Sequence, residues 1–281
     1  MKWQADAQTA WQQLSRQILA VSSHASLRFM VLAAHPDDEV IGASTLLARF
    51  PDSLVVYLTD GAPRDSRLWT GGPYDSREQY AKVRSAETIR ALAYAEVPTE
   101  NVCWLGAVDQ EASFEMPFLA ATFAGLLEQY RPNAIITHAY EGGHPDHDTA
   151  AAIAQTATTR PAIPIIEMTS YHAGDGRCVI GEFLEQTPIR DDGVELSEIA
   201  VELSEKDRER KRQMFTAHAS QRSVLGSFSI DREHLRPSPG YDFSQPPHAG
   251  KLWYESLGWP MTGERWRELT ASARLKTQSC A

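Results

Sequence analysis

Residues 27–39 read LRFMVLAAHPDDE, and this stretch decides the fold. Its first eight residues form a short, almost continuous apolar run, which is typical of a strand buried on both faces of a parallel sheet. The run ends at His35, and a helical pattern then extends from about Asp38 to Arg49. The stretch therefore predicts a buried strand, a polar turn that carries histidine and aspartate, and a helix.

The same alternation of apolar runs and helical patterns continues along the chain. Strands that alternate with helices build βαβ units, in which successive strands are parallel. The sequence therefore predicts an α/β fold with a mainly parallel sheet flanked by helices. An amphipathic helix is predicted over 5–22, further strands over 54–58, 102–105, 134–138 and 163–171, and further helices over 76–95, 117–130 and 148–158.

The pattern changes beyond about residue 175. The sequence contains no internal repeat and no low-complexity tract. We therefore expect a single domain, with a core over about 25–175 and a smaller C-terminal extension over about 176–281. Within the extension we predict short strands or a hairpin over 178–203, a charged helix over 204–220, a proline-rich loop over 235–250 and a short helix around 263–274.

Composition and charge limit the class of protein. The net charge of −10 argues against a general affinity for nucleic acid or anionic membranes, since both are polyanions. No apolar run approaches the roughly 20 residues of a membrane span, and the N-terminus lacks the uninterrupted apolar segment of a signal peptide. Cys103, Cys178 and Cys280 form no C-x-x-C pair, which favours free thiols in a reducing compartment. These features predict a soluble cytoplasmic protein and leave its oligomeric state open.

A second polar cluster, GGHPDH at 142–147, follows the predicted strand at 134–138. In open parallel sheets, ligands bind beyond the carboxyl ends of the strands. Because both clusters occupy such positions, we expect them to form one site. Its candidate residues are His35, Asp37, Asp38, His144, Asp146 and His147.

Histidine and aspartate in this arrangement indicate a metal-dependent hydrolase. A catalytic zinc typically has three such ligands and an open position for water, and it lowers the pKa of that water to about 7. The adjacent carboxylates of Asp37 and Asp38 repel each other unless a cation is present, which favours the metal interpretation over a simple helix-dipole role. The residues alone leave open which aspartate binds the metal. They also leave open Zn²⁺ or Fe²⁺.

AHPDDE at 34–39, together with GGHPDH at 142–147, resembles the LmbE-like, or PIG-L, family of metal-dependent de-N-acetylases. The resemblance extends over roughly 29–172 and more weakly to HASQ at 218–221. It implies a Rossmann-like fold and hydrolysis of the acetamido group of an N-acetylglucosamine-type substrate. We therefore expect a small-molecule partner, an N-acetyl sugar or glycoconjugate.

The family pattern also implies a role for each site residue. His35, Asp38 and His147 would bind the metal, and Asp37 would be the general base. His144 would stabilise the oxyanion or act as general acid, and Asp146 would orient the His144 ring. Arg84 and Glu87 match an R-x-x-E element, whose arginine would help to shape the substrate pocket; an ordinary surface ion pair is the alternative.

One departure from the family pattern concerns the substrate. After the second strand, TDGAPRD at 59–65 replaces the family's TDGE-like run and leads into a long loop. A metal-dependent amidase that acts on another sugar or thiol conjugate therefore remains an alternative. A nucleotide-binding module is disfavoured, since residues 35–42 lack the expected G-x-G-x-x-G pattern.

The aromatic residues divide into two groups. Trp69 and Tyr74 lie in the long loop and are the better candidates for stacking on a sugar ring, whereas Trp253, Trp259 and Trp266 are expected to be core or packing residues. His138 closes a strand and is expected to be a packed core histidine.

Overall fold

The computed structural model describes residues 2–20, 27–158, 163–184 and 198–279. Cys280 and residues 185–197 of the predicted hairpin lie outside the described residues, as do the last two residues of the predicted N-terminal helix, 21–22.

A seven-stranded sheet forms the centre of the molecule, with the order β3-β2-β1-β4-β5-β9-β8. The first five strands in this order are parallel, and the last two are antiparallel to their neighbours. The strands are β1 (Phe29–Ala33), β2 (Leu54–Thr59), β3 (Val102–Ala107), β4 (Ala134–His138), β5 (Ile165–Met168), β8 (Ile199–Glu202) and β9 (Arg232–Pro237), and a separate hairpin consists of β6 (Tyr171–Gly174) and β7 (Arg177–Ile180).

Helices cover both faces of the sheet. Phe123, Ile153 and Trp266 belong to one apolar cluster, and Trp11 and Leu46 belong to a second. No helix in the described ranges has the length and apolar character needed to cross a membrane. The helices are α1 (Lys2–Leu19), α2 (Asp38–Gly42), α3 (Ser44–Arg49), α4 (Arg77–Ala93), α5 (Met116–Tyr130), α6 (Pro145–Ala157), α7 (Glu205–Ala217), α8 (Arg222–Leu225), α9 (Trp253–Ser256) and α10 (Gly263–Ser279).

The α/β fold with a mainly parallel sheet is confirmed, but two predicted elements are divided. The helix predicted over 38–49 breaks at Ala43, because the Lys211 ammonium binds the Ile41 carbonyl and the Glu233 carboxylate binds the Thr45 N–H. The strand predicted over 163–171 separates into β5 and the first residue of β6.

The C-terminal extension completes the sheet. The strand β9 pairs with β5, and β8 pairs with β9, so the extension lengthens the sheet at the β5 edge. The charged helix predicted over 204–220 forms over 205–217.

The strand order reverses beside β1, which has β2 on one side and β4 on the other. Connections leave β1 and β4 toward opposite sides at such a point, and a crevice opens beyond the carboxyl ends of the two strands. The two polar clusters follow β1 and β4. The topology therefore brings them to one crevice.

Candidate active site

The first loop, residues 34–39, is held in an unusual backbone conformation. Asp37 has a backbone φ of 138°, a value that residues other than glycine rarely adopt and that stores local strain. The Asp37 N–H donates to the Glu39 carboxylate at 3.1 Å, and the His35 N–H donates to the Asp38 carboxylate at 2.7 Å. These bonds hold Asp37 and Asp38 in fixed positions.

The second loop ends at His144, which caps the N-terminus of α6. Its Nδ1 accepts a hydrogen bond from the Asp146 N–H at 3.1 Å, and Pro145 occupies the first helical position, where its missing N–H costs nothing. Because Nδ1 accepts, a neutral His144 ring carries its hydrogen on Nε2.

One distance between the two loops and one within the first loop match the spacing of metal ligands. His147 Nε2 lies 3.4 Å from Asp38 Oδ1, and His35 Nδ1 lies 3.3 Å from Asp38 Oδ2. Two ligands of one tetrahedral zinc, each about 2.1 Å from the ion, are about 3.4 Å apart. The three side chains are buried, which suits ligands shielded from water.

Two sets of three side chains have ligand atoms close enough together to bind one metal ion, and both sets include His147. One set also contains His35 and His144, and the other also contains Asp38 and His138. The predicted set of His35, Asp38 and His147 is thus divided between these groups. The assignment of these three residues as the ligands stays a prediction.

The protonation of these groups also fits a divalent cation. Burial and the neighbouring His138 lower the pKa of His147 to about 3, so its ring is neutral and can bind metal. Burial alone would raise the pKa of Asp38, but the His147 and His138 rings hold it well below its ordinary value. The donor set therefore fits a metal, with an anionic carboxylate beside a neutral imidazole.

Asp37 lies beside this group and is buried. Burial raises the pKa of its carboxyl to about 7, although Arg84 opposes the shift. Arg84 donates to Asp37 Oδ2 at 3.2 Å, to the Pro36 carbonyl at 2.6 Å and to the Gly61 carbonyl at 2.7 Å. Arg84 is thus a buried clamp on the Asp37 loop and not a surface partner of Glu87.

Glu87, one turn further along α4, binds the weakly matched HASQ segment. Its carboxylate accepts from the Ser220 N–H at 2.9 Å and the Ser220 hydroxyl at 2.6 Å. The Gln221 amide donates to the Tyr80 hydroxyl at 2.7 Å, and both residues line the cavity. The helix α4 therefore ties this segment of the C-terminal extension to the site.

The predicted contact between Asp146 and His144 needs correction. The Asp146 carboxylate is 3.9 Å from His144 Nδ1, beyond hydrogen-bond distance, but only 3.2 Å from His35 Nε2. Its position is fixed by the N–H groups of Gln110, at 2.6 Å, and Ala112, at 3.1 Å. Asp146 orients His35, and it reaches His144 only through its backbone.

Asp109 was not predicted from the sequence. Its Oδ1 lies 3.2 Å from His35 Nε2 and 3.7 Å from His144 Nε2. Burial raises the pKa of Asp109, but His35 more than offsets this and keeps it below its ordinary value. The sequence feature that could have identified Asp109 is its position just after the third strand. It was weak because β3 lies two strands away from β1.

His138 is buried, as expected, but it also contacts the site. Its Nε2 is 3.3 Å from Asp38 Oδ2 and 3.2 Å from the Ala34 N–H, and its ring stacks on that of His147 at 3.9 Å between centroids. His138 therefore packs on His147 and lies against Asp38.

The cavity above these residues has a volume of about 330 Å³. Trp253 and Trp259 line it. Trp259 also packs against the apolar core, as expected, and its ring meets the His144 ring edge-on at 4.8 Å between centroids. Trp69 and Tyr74 instead pack on Tyr80, which itself lines the cavity. The stacking of Trp69 and Tyr74 on a sugar ring stays a prediction.

A comparison with protein-family models matches residues 30–158 to "PIG-L: GlcNAc-PI de-N-acetylase". The matched segment includes both loops and the six predicted site residues that they contain. The family model thus covers both loops of the site and slightly less than half of the chain.

Two curated relatives are deacetylases of N-acetylated amino sugars. The chain is 30% identical over 123 residues to a probable N-acetyl-alpha-D-glucosaminyl L-malate deacetylase 2 of Bacillus subtilis, across 42% of this chain and 55% of that protein. It is 28% identical over 173 residues to a 1D-myo-inositol 2-acetamido-2-deoxy-alpha-D-glucopyranoside deacetylase of Tsukamurella paurometabola, across 48% of this chain and 56% of that protein. The chain thus spans about half the length of the curated relatives that it matches.

Among solved structures, a deacetylase triple mutant from the teicoplanin biosynthetic pathway superimposes with a TM-score of 0.56. The match covers 75% of this chain and 97% of that chain at 18% identity. This similarity confirms the fold.

Proposed function

We propose that this protein is a metal-dependent hydrolase that removes the acetyl group from an N-acetylated amino sugar or glycoconjugate. One observation carries the proposal. The buried carboxyl of Asp37, whose pKa is raised, lies beside Asp38 and His147, which have the spacing of two metal ligands, and all three residues line one cavity. The PIG-L match over both loops and the two deacetylase relatives support the reaction class.

In this proposal His35, Asp38 and His147 hold a divalent ion, which we take to be Zn²⁺ with Fe²⁺ as the alternative. A bound ion would polarise a water molecule and act as a Lewis acid toward the oxygen of the amide carbonyl. His35 has to lose a proton to become a ligand. Although burial alone would lower its pKa, Asp109, Asp146 and Asp38 raise it well above its ordinary value, so metal binding at this residue competes with a proton.

Asp37 is the proposed general base. A carboxyl with a pKa of about 7 can accept a proton near neutral pH and give it up again, as a proton carrier between water and a leaving amine must. Arg84 fixes the carboxylate from behind through Oδ2 and leaves Oδ1 for the water.

His144 is the proposed oxyanion donor. Burial and the neighbouring His35 lower its pKa well below the ordinary value, so the ring is neutral near pH 7. A neutral ring that carries hydrogen on Nε2 can donate to a developing oxyanion. The neutral ring therefore favours His144 as a stabiliser of the oxyanion over His144 as a general acid, since a general acid would need a charged ring.

The test is a panel of N-acetylated sugars and glycosides incubated with protein loaded with Zn²⁺ or Fe²⁺, with free amine and acetate both measured. We expect the two products in equal amounts. Release of neither product from any compound would refute the proposal. Propionyl and formyl analogues of the best substrate test the amidase alternative, which predicts faster cleavage of a group other than acetyl.

A further inference from the structure

The helix α7 of the C-terminal extension buries one face near the Asp37 loop. Lys211, Met214 and His218 are spaced by three and four residues, which places them on one side of α7 and at its C-terminal cap. All three are fully buried, whereas residues 205–210 of the same helix are all charged. A buried lysine and a buried histidine need polar partners. Both residues have such partners in the short helix α2, which begins at Asp38.

His218 faces the carboxylate of Glu39, which is also fully buried. The ring Nε2 lies 3.7 Å from Glu39 Oε1, an ion-pair distance, and within the described part of the chain neither atom has a hydrogen-bond partner. The other oxygen of this carboxylate, Oε2, accepts from the Asp37 N–H at 3.1 Å. Glu39 therefore links His218 to the backbone of Asp37.

Tyr57, on the strand β2, supports Glu39 from a second direction. Burial, and after it the Glu39 charge, raise the pKa of the Tyr57 phenol well above its ordinary value. The phenol therefore stays neutral and keeps a hydrogen that it can donate to this carboxylate.

Lys211 holds the other end of α2. Its ammonium donates to the Ile41 carbonyl at 2.7 Å and to the Glu233 carboxylate at 3.0 Å. The last carbonyls of a helix have no partner within the helix, so Lys211 supplies one where α2 ends. Glu233 in turn accepts from the Ser44 hydroxyl at 2.5 Å and the Thr45 N–H at 3.2 Å, where α3 begins. The helix α7 thus contacts α2 near both of its ends.

We propose that α7 positions the general base: His218, through Glu39, and Lys211, through the end of α2, keep Asp37 in its strained backbone conformation. Both are positioning residues, and neither lines the cavity. The inference rests on the proposed role of Asp37, and it gives the C-terminal extension a part in the reaction. Both residues lie beyond the segment matched by the family model, which ends at residue 158.

The strain at Asp37 is the reason why such support matters. A residue in a sparsely populated backbone region stays there only when its surroundings over-determine it. Asp37 has a φ of 138°; Glu39 fixes its N–H, and Arg84 fixes its carboxylate at 3.2 Å. Without support for Glu39, the Asp37 amide would be free to turn. The carboxylate would then leave its place while the metal-type side chains stay where they are.

The first experiment replaces His218. His218→Met nearly keeps the volume of the side chain and removes both ring nitrogens. A shift of about 1 Å in a catalytic group can cost about 100-fold in rate, so we expect kcat per folded chain to fall at least tenfold. The metal content per chain and KM are expected to stay within about twofold of the wild type. His218→Gln, whose amide nitrogen can take the place of Nε2, is expected to recover kcat to within about threefold of the wild type.

The fraction of folded chains is measured by near-UV circular dichroism at the assay temperature. A merely structural role would lower the unfolding free energy of His218→Met and leave kcat per folded chain unchanged, which would overturn the inference. Equal kcat in His218→Met and His218→Gln would overturn it as well. So would loss of the metal together with kcat, because His218 would then act on the ligands and not on the base.

The second experiment removes the Lys211 contact. Lys211→Met alone would leave the Glu233 carboxylate buried and unpaired, so the variant tested is Lys211→Met/Glu233→Gln, which removes both charges and keeps an amide oxygen for Ser44 and Thr45. We expect kcat per folded chain to fall at least threefold with the metal content unchanged. The matched control is Lys206→Met, an exposed position on the same helix, which is expected to keep the wild-type kcat. Wild-type kcat in the double variant would overturn the role of Lys211.

A measurement that needs no turnover separates failure of the proposed function from failure of this inference. Hydrogen exchange of the Asp37 amide, followed by NMR, reports how often the Asp37 loop opens. We expect exchange at least tenfold faster in His218→Met than in the wild type, and unchanged exchange in His218→Gln and Lys206→Met. This pattern would support the inference even if no compound released amine. Equal exchange in His218→Met and the wild type would overturn it whether or not the protein is a deacetylase.

Discussion

Gly143 is where the hairpin β6–β7 presses against the loop that carries His144, and replacing it tests that packing. A Cβ at position 143 would lie 1.8 Å from the Tyr171 carbonyl oxygen. Carbon–oxygen contacts of this kind normally measure about 3.3–3.6 Å. Gly143→Ala therefore forces the loop and the hairpin apart by about 1.5 Å, and His144 is the next residue along the chain.

Two effects follow from this displacement. Overpacking of a well-packed region costs about 1–3 kcal/mol of unfolding free energy. A shift of about 1 Å in a catalytic group can cost about 100-fold in rate, so kcat is expected to fall by at least this factor.

The matched control is Gly125→Ala, in the helix α5. Nothing lies within 4 Å of the added methyl group there, so the change is expected to stabilise the helix by up to about 1 kcal/mol. Denaturant unfolding and kcat are measured for both variants and the wild type. A Gly143→Ala protein with wild-type stability and activity would refute the claim that the hairpin fixes the position of His144.

Three further predictions concern charge and metal. Arg84→Met leaves the buried Asp37 carboxylate unpaired: we expect a loss of about 3–5 kcal/mol of stability and a pH–rate profile moved to higher pH, and an unmoved profile would contradict the clamp. Burial raises the pKa of Glu141 from an ordinary 4.5 to about 7, so the folded protein binds this proton more tightly than the unfolded chain. Wild-type stability should therefore fall relative to Glu141→Gln as pH rises from about 4.5 to 7, by at most about 3 kcal/mol, and parallel stability curves would contradict this. Removal of metal by a chelator should lower the melting temperature, and added Zn²⁺ should restore it in the wild type but much less in His147→Ala; equal restoration would exclude His147 as a ligand.

The sequence predicts the parallel part of the fold because its strands are buried on both faces and read as apolar runs. The strand 29–33 and the loop that follows it illustrate this, since the apolar run and the polar cluster can both be recognised within one short stretch of sequence. The added strands β8 and β9 were harder to predict, because they are short and depend on pairing with β5. The break in the helix over 38–49 comes from Lys211 and Glu233, which lie more than 160 residues away along the chain.

The candidate site, like the fold, contains residues that could be predicted from the sequence and residues that could not. The six loop residues could be predicted because each follows its strand directly. Asp109, Trp253 and Trp259 could not, since their positions depend on how distant segments return to the crevice. Asp146 was assigned to the wrong histidine because sequence spacing does not show where a carboxylate points once the Gln110 and Ala112 amides hold it.

The most direct test of the central claim is to measure bound metal and turnover together in Asp37→Asn. Asparagine has nearly the same shape as aspartate and tolerates positive φ better than most residues, so the loop should keep its conformation. We expect this variant to keep the wild-type metal content per chain, while kcat on the best N-acetyl sugar falls about 100- to 10,000-fold, as expected for loss of a general base. Wild-type turnover in Asp37→Asn, or loss of the metal together with the activity, would contradict a role of Asp37 as general base beside the metal.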